Sequence, residues 1–264
     1  MNRGAHTPLR LLLGAVAALA VLLFLLPLAG LLVRAPWEGL GSLLASPALH
    51  DAMGLSLLSS LGALVVAVVL GLPLAVWLAA GSSVLRTLAR IVVMLPVVLP
   101  PVVAGLALLL AFGRNGIVGR WLEAVSGVTV PFTTTATVVA AAYTGMPFFV
   151  LSAEAGLRGL DRRHLEVAAT LGAGPLRRFL TVTVPMVLPS LGAGALLCWA
   201  RALGEFCATQ TFAGNLQGTT RTMPLACGIA LETDPDLAIV LGLLLGSVSV
   251  AVLFLLRNAL QVRR

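Results

Sequence analysis

Residues 153–183 read AEAGLRGLDRRHLEVAATLGAGPLRRFLTVT. This polar stretch holds Arg158, Arg162, Arg163, Arg177 and Arg178, and it lies between the apolar runs 132–152 and 184–203. A helix crossing a bilayer needs about 20 mostly apolar residues, and both runs are that long. The stretch therefore reads as an extramembrane loop between two spans. Leu157, Leu160, Leu165, Ala168 and Leu171 fall near one helical face, and Arg158, Arg162 and Glu166, four apart, share another. Gly172-Ala173-Gly174-Pro175 then stops the helix, with glycine for a left-handed end and proline to open the next helix. Leu176, Phe179 and Leu180 make that second helix apolar on one side. The pattern predicts a helix, a sharp turn and a short helix. By pattern alone it is either an amphipathic loop on the membrane surface or a docking knob for a partner.

Outward from the loop the chain is almost all span. Apolar runs occur at 11–33, 55–80, 91–112, 132–152, 184–203 and 237–256, six in all. The first also has the look of a signal peptide, but it is too long for an ordinary signal core and reads as an uncleaved span. Residues 34–53, with Trp37, Glu38, His50 and Asp51, read as an external loop with room for a short interfacial helix. Of the 264 residues 59% are hydrophobic and 10% charged, against about 25% charge in soluble domains. The fold class expected is an all-α polytopic membrane protein with six transmembrane helices.

All 17 basic residues are arginine. The absence of lysine excludes a Walker A motif, a Schiff-base lysine and a Ser-Lys dyad. Cys198, Cys207 and Cys227 form no metal-ligand spacing, and His6, His50 and His164 lie far apart in sequence. No catalytic constellation and no metal site are found. The net charge of +7 reports orientation in a membrane rather than nucleic-acid binding. With the N-terminus inside, segments 1–10, 81–90, 153–183 and 257–264 are cytoplasmic. They hold Arg3, Arg10, Arg86, Arg90, Arg158, Arg162, Arg163, Arg177, Arg178, Arg257, Arg263 and Arg264, that is 12 of the 17. Both termini are then cytoplasmic, as an even number of spans requires. The expected organisation is an N-terminal helix and external loop at 1–53, a core at 54–257 and a short cytoplasmic tail at 258–264. Pro96, Pro100 and Pro101 fall within one run; they mark either a packing kink or a helix lining a cavity.

Three motifs then carry a resemblance. Glu166, Ala168, Ala169 and Gly172, followed by Pro185 and Pro189, resemble the EAA loop of ABC-importer permeases, with Val167 interrupting the E-A-A run. Residues 199–224, WARALGEFCATQTFAGNLQGTTRTMP, resemble the L-G-E-F-G-A-T…A-G-N…T-x-T-x-P segment of molybdate permeases. Cys207 stands where glycine is common there, and Cys227-Gly228 where an aliphatic residue and a tyrosine are common. Residues 95–105, LPVVLPPVVAG, resemble the L-P-x-x-L-P-P-x-x-x-G span of the same permeases. Sulfate and tungstate permeases share parts of these motifs, and the A-G-N triplet favours molybdate over both.

The resemblance implies the type I ABC importer permease fold in the bacterial cytoplasmic (inner) membrane. It implies a homodimer, a dimer of a separate cytoplasmic ABC ATPase that binds ATP and Mg, and a periplasmic or surface-anchored molybdate-binding protein. This chain itself would bind no cofactor and would work by alternating access. Glu166, Ala168, Ala169, Leu171, Gly172 and Pro175 become the ATPase-coupling residues. Thr209, Thr211, Asn215 and Thr220, with Pro100 and Pro101, become candidates for the passage or its gate, since an oxyanion needs hydrogen-bond donors without a deep trap. A threonine-rich stretch is equally an ordinary loop with local side-chain caps. Arg201 and Glu205, four apart, are expected to form a structural ion pair. An ion-coupled secondary transporter is a further alternative, which would predict an inverted repeat. A membrane-embedded enzyme would need a dyad at membrane depth, where Glu205 is the only acid close to a span interior.

Overall fold

The computed structural model describes residues 7–261, and among them every regular element is helical. Thr7–Val33 forms α1, Leu40–Leu44 a short α2, and Pro47–Ala79 the long α3. Val84–Val98 and Pro101–Phe112 are α4 and α5, Gly119–Ser126 is α6, and Thr134–Arg158 is α7. Arg162–Thr170 and Pro175–Arg178 are α8 and α9; a π-helical turn at Phe179–Thr183 joins α9 to α10, Val184–Leu203. Cys207–Ala213, Met223–Thr233 and Pro235–Gln261 are α11, α12 and α13. A bilayer cannot satisfy open backbone groups, so long apolar segments become helices that close their own hydrogen bonds.

The centre is α7, whose apolar window is the most buried of the spans. Gly62 of α3 lies against Val138, and Gly71 further along α3 against Phe149 and Val150, so α3 and α7 run parallel. Gly145 meets Cys198 and Gly156 meets Ser190, so α10 runs antiparallel to both. Ala63, Ala141, Ala142 and Ala202 fill the seam. Where lipid replaces water as solvent, small residues let helix backbones approach and gain dispersion contact. The helix α13 returns beside α10, bringing Val252 to Ala193, and Leu31 of α1 reaches Gly242 near the start of α13. The start of α1 and the end of α13 therefore lie toward the end of the bundle that carries α8 (the loop end). The side chains of α1 are otherwise almost wholly exposed and apolar, a surface that only lipid or another protein can cover.

Three sequence expectations need correction. The run at 91–112 is not one straight span: α4 and α5 meet at 118° across Leu99-Pro100. Pro100 and Pro101 supply no backbone N–H, and the residue before a proline is steered away from helical geometry, so the helix ends there. Arg90 on α4 pairs with Glu154 near the loop end of α7, while Ala104 and Leu108 of α5 pack with Ala136 and Ala140 near its other end. Those levels on α7 are about 21–27 Å apart at 1.5 Å per residue. The two halves of the bent pair thus reach different levels of α7, and counted as a single span the pair brings the candidate spans to six.

Second, α3 begins at Pro47, so His50 and Asp51 lie in a helix and the division after residue 53 falls inside it. Third, residues 153–158 belong to α7, and the chain breaks at Gly159-Leu160 before α8 starts. Arg158 and Glu166 therefore do not share a helix face, and Leu157 packs in the bundle rather than on the loop. The last expected span agrees with the apolar stretch Pro235–Leu255, and its helix α13 continues through Gln261. Residues Arg3, His6, Arg263 and Arg264 lie outside the described residues.

Candidate functional site

At the loop end, α8 and α9 form the predicted knob. The carboxylate of Asp161 caps α8 by accepting the Arg163 N–H at 3.0 Å. At the far end of α8 the Gly172 N–H donates to the Ala169 carbonyl and the Ala173 N–H to the Ala168 carbonyl, both at 3.0 Å. With Gly172 at φ +79° this is a Schellman stop, which a residue with a Cβ would strain. Pro175 opens α9. Glu166, Ala169, Leu171 and Pro175 are exposed and Ala168 is half-buried. Leu171 is 82% exposed and Leu176 71%, with Val167 beside them, an apolar tip that the protomer leaves uncovered.

Just inside the knob lies an ion cluster. Glu154 on α7 is only 4% exposed. Its Oε1 accepts from Arg90 Nη2 at 2.7 Å and from Arg158 Nε at 2.8 Å, and Arg90 Nε lies 3.1–3.2 Å from both oxygens. Arg158 Nη2 donates to the Leu78 carbonyl at 3.3 Å. One carboxylate thus ties α7 to α4, and its second arginine ties α7 to the last turn of α3. Sequence reading passed over Glu154. The available signal was an acid at the end of an otherwise apolar run with an arginine four residues on.

Toward the opposite end the chain turns a corner between α10 and α11. Glu205 is 3% exposed. Arg201 Nη1 lies 2.6 Å from its Oε2, and its Oε1 accepts the Ala208 N–H at 2.9 Å. The carboxylate therefore neutralises an arginine of α10 and holds the N-terminus of α11. Inside the corner, α11 crosses α5 at Gly105, where an added Cβ would stand 2.7 Å from Thr211 Cβ and 2.8 Å from the Ala208 carbonyl. The helix after Pro100 and Pro101 and the threonine-bearing α11 are thereby brought together. Both prolines are exposed at the bend.

The remaining passage candidates separate. Thr209 is buried within the protomer, and the Thr211 hydroxyl donates to the Cys207 carbonyl at 2.9 Å. The buried Thr220 hydroxyl accepts the Leu216 N–H, and Arg221 Nε donates to Asn215 Oδ1, each at 2.9 Å. Thr134 of α7 donates to the Thr219 carbonyl. Asn215, Thr220 and Arg221 close the loop between α11 and α12 on itself. Ser56 of α3 seats the next helix by accepting the Met223 N–H at 2.7 Å. The knob and the corner occupy different levels of the bundle.

Residues 71–263, which contain the knob, the ion cluster and the corner, match the family described as binding-protein-dependent transport system inner membrane component. The chain belongs to this family. Among its relatives, the molybdenum transport system permease protein ModB of Mycobacterium tuberculosis is 43% identical over 229 residues, 86% of each chain. The protein of that name from Haemophilus influenzae is 40% identical over 178 residues, 66% of this chain and 78% of the relative. In the solved structure of a bacterial ABC transporter involved in import of the acidic polysaccharide alginate, one chain superposes with a TM-score of 0.73 at 17% identity, over 96% of both chains. The fold is that of type I ABC importer permeases, all-α with apolar spans, in a family of multi-pass inner-membrane proteins.

Proposed function

We propose that this permease-family chain is the membrane subunit of an ATP-driven molybdate importer. The observation that carries the reading is the 43% identity to a molybdenum transport permease across 86% of both chains. The chain lacks lysine and hence a Walker A motif, so ATP and Mg are assigned to a separate ATPase dimer that receives the α8–α9 knob. Glu166, Ala168, Ala169, Leu171, Gly172 and Pro175 form that contact, through the exposed tip and the turn that aims it. The arginine bias puts the knob and both termini in the cytoplasm. A homodimer encloses the passage, and a molybdate-binding protein delivers cargo at the opposite end. The division into an N-terminal helix with its external loop, a core and a short tail belongs to the same reading, with the core starting at α3. Pro100 and Pro101, Thr209 and Thr211, and Asn215 and Thr220 serve as the gate and its supports. The protomer's burial of Thr209 and Thr220 favours support for these two. The Arg201–Glu205 pair holds the corner and removes a free charge from a path that an oxyanion must leave as readily as it enters.

The test is uptake of labelled molybdate by cells that lack their own importer and carry this chain with its ATPase and binding protein. Uptake suppressed by excess tungstate but not by sulfate is expected. Suppression by sulfate would move the cargo to sulfate. An assembled complex without any uptake would sink the oxyanion reading. Persistence of uptake with an ATPase that cannot hydrolyse ATP would return the ion-coupled alternative.

A further inference from the structure

The knob stands off the bundle: among the described side chains of α8 none is buried, and the helix is joined to the core through its two chain connections. One connection is a π-helical turn, which leads into α10. The other is short, Gly159-Leu160-Asp161, and leads straight into the last turn of α7. That last turn holds Arg158, which grips both Glu154 and the Leu78 carbonyl. Glu154 in turn grips Arg90. The partner helix α4 has only Pro96 buried in the protomer, so it is loosely packed, with Ala89 and Val93 resting on the core beside Arg90. Beyond them α4 runs to the Pro100-Pro101 bend and so to the α5–α11 crossing at Gly105.

We infer that the Arg90–Glu154–Arg158 cluster is a mechanical joint, with Glu154 a positioning residue that makes α4 follow the knob. The inference rests on the proposed coupling of the knob to an ATPase. The chemistry suits the task. A buried carboxylate facing two guanidiniums makes short, directional, charge-assisted hydrogen bonds of forked geometry. A greasy contact at the same place would slide. The ties leave α7 sideways at its loop end, where displacement of α8 is delivered before the long helix can absorb it.

The experiment uses the full complex in proteoliposomes, with hydrolysis and labelled molybdate uptake read together. Glu154→Gln keeps the shape and removes the charge. Its expected result is hydrolysis still stimulated by the loaded binding protein, with uptake per ATP lower by about fivefold or more. An unchanged ratio in the assembled Glu154→Gln complex would overturn the joint. If that variant does not assemble, Arg158→Lys decides. It keeps a charge beside Glu154 but loses the rigid fork by which Arg158 reaches Glu154 and the Leu78 carbonyl together, and an unchanged ratio there overturns the joint equally. A cargo-independent readout separates this inference from the functional reading. Spin labels at Leu88→Cys on α4 and Thr170→Cys on α8, without the native cysteines, should keep their separation between nucleotide-free and ATP-bound complexes. They should lose it in Glu154→Gln. Separations that change alike in both proteins refute the joint whatever the cargo. Intact tracking without molybdate uptake refutes the cargo alone.

Discussion

Glu154 and Glu205 are both buried carboxylates with an arginine four positions away, and they have different jobs. Glu205 takes its partners from its own stretch of chain: Arg201 before it and the Ala208 N–H after it. It shapes one corner. Glu154 also takes a local partner, Arg158, but its second comes from α4, and Arg158 reaches on to α3. It binds three helices. The contrast teaches that spacing in sequence identifies a pair but not its span of influence, which depends on what the fold carries to the unused oxygen and the unused guanidinium nitrogens.

The comparison can be broken most decisively at Glu154. Glu154→Leu removes the charge-assisted hydrogen bonds to two arginines on two helices at once and should cost about 3 kcal/mol, although both arginines, being part-exposed, reach solvent. The reading is a lowered thermal midpoint of the solubilised protein and loss of assembled complex. If Glu205→Leu proved the more damaging, the two sites would have to exchange roles. Next in size is Gly105→Val, which thrusts a side chain into Thr211 and the Ala208 carbonyl. Overpacking of this kind costs about 2 kcal/mol. Because the clash falls on backbone, it should also reduce uptake, whereas Gly246→Val, in open space, should do neither.

A smaller effect is expected at Glu205→Ala, about 1 kcal/mol for the lost helix-end contact. Arg201 is partly exposed and finds solvent. Glu205→Gln should recover most of it by still accepting the Ala208 N–H. Failure of that rescue would show that the ion pair dominates the cap. A change in stability no larger than that of Glu205→Ala, about 1 kcal/mol of left-handed strain, is expected at Gly172→Asp, since nothing crowds a Cβ there. Its effect on ATP hydrolysis stimulated by substrate should nevertheless be large, because the turn aims the tip. Wild-type stimulation in an intact complex would remove Gly172 from the coupling site.

Much of this was legible in the chain, and particular residues show why. The Schellman stop at Gly172 and the Asp161 cap are local events, decided within a turn of helix. The Arg201–Glu205 contact is of the same kind. The spans were legible because about 20 apolar residues in a row have one low-energy solution in lipid. The 118° bend was visible only as three prolines; its size and direction were not. The threonines were harder still. Thr209 and Thr220 have the same composition as a lining and as a buried support, and only packing tells which face is covered. The break at Gly159 was lost because Leu157 and Leu160 continue a helical pattern across it.

The sequence by itself determined a lysine-free, all-helical membrane chain, the placement of its apolar runs, the bias of its arginines and the shape of its loop. These follow from local rules: hydropathy over a bilayer's width, helix caps, and charge on one side of a membrane. Only the tertiary structure decided that α3 and α7 run parallel, that α5 lies across α11, and that Arg90 closes on Glu154. These depend on partners far apart in the chain, held at specific distances by side-chain volume. A carboxylate has no means of stating, within its own neighbourhood, which distant arginine will reach it.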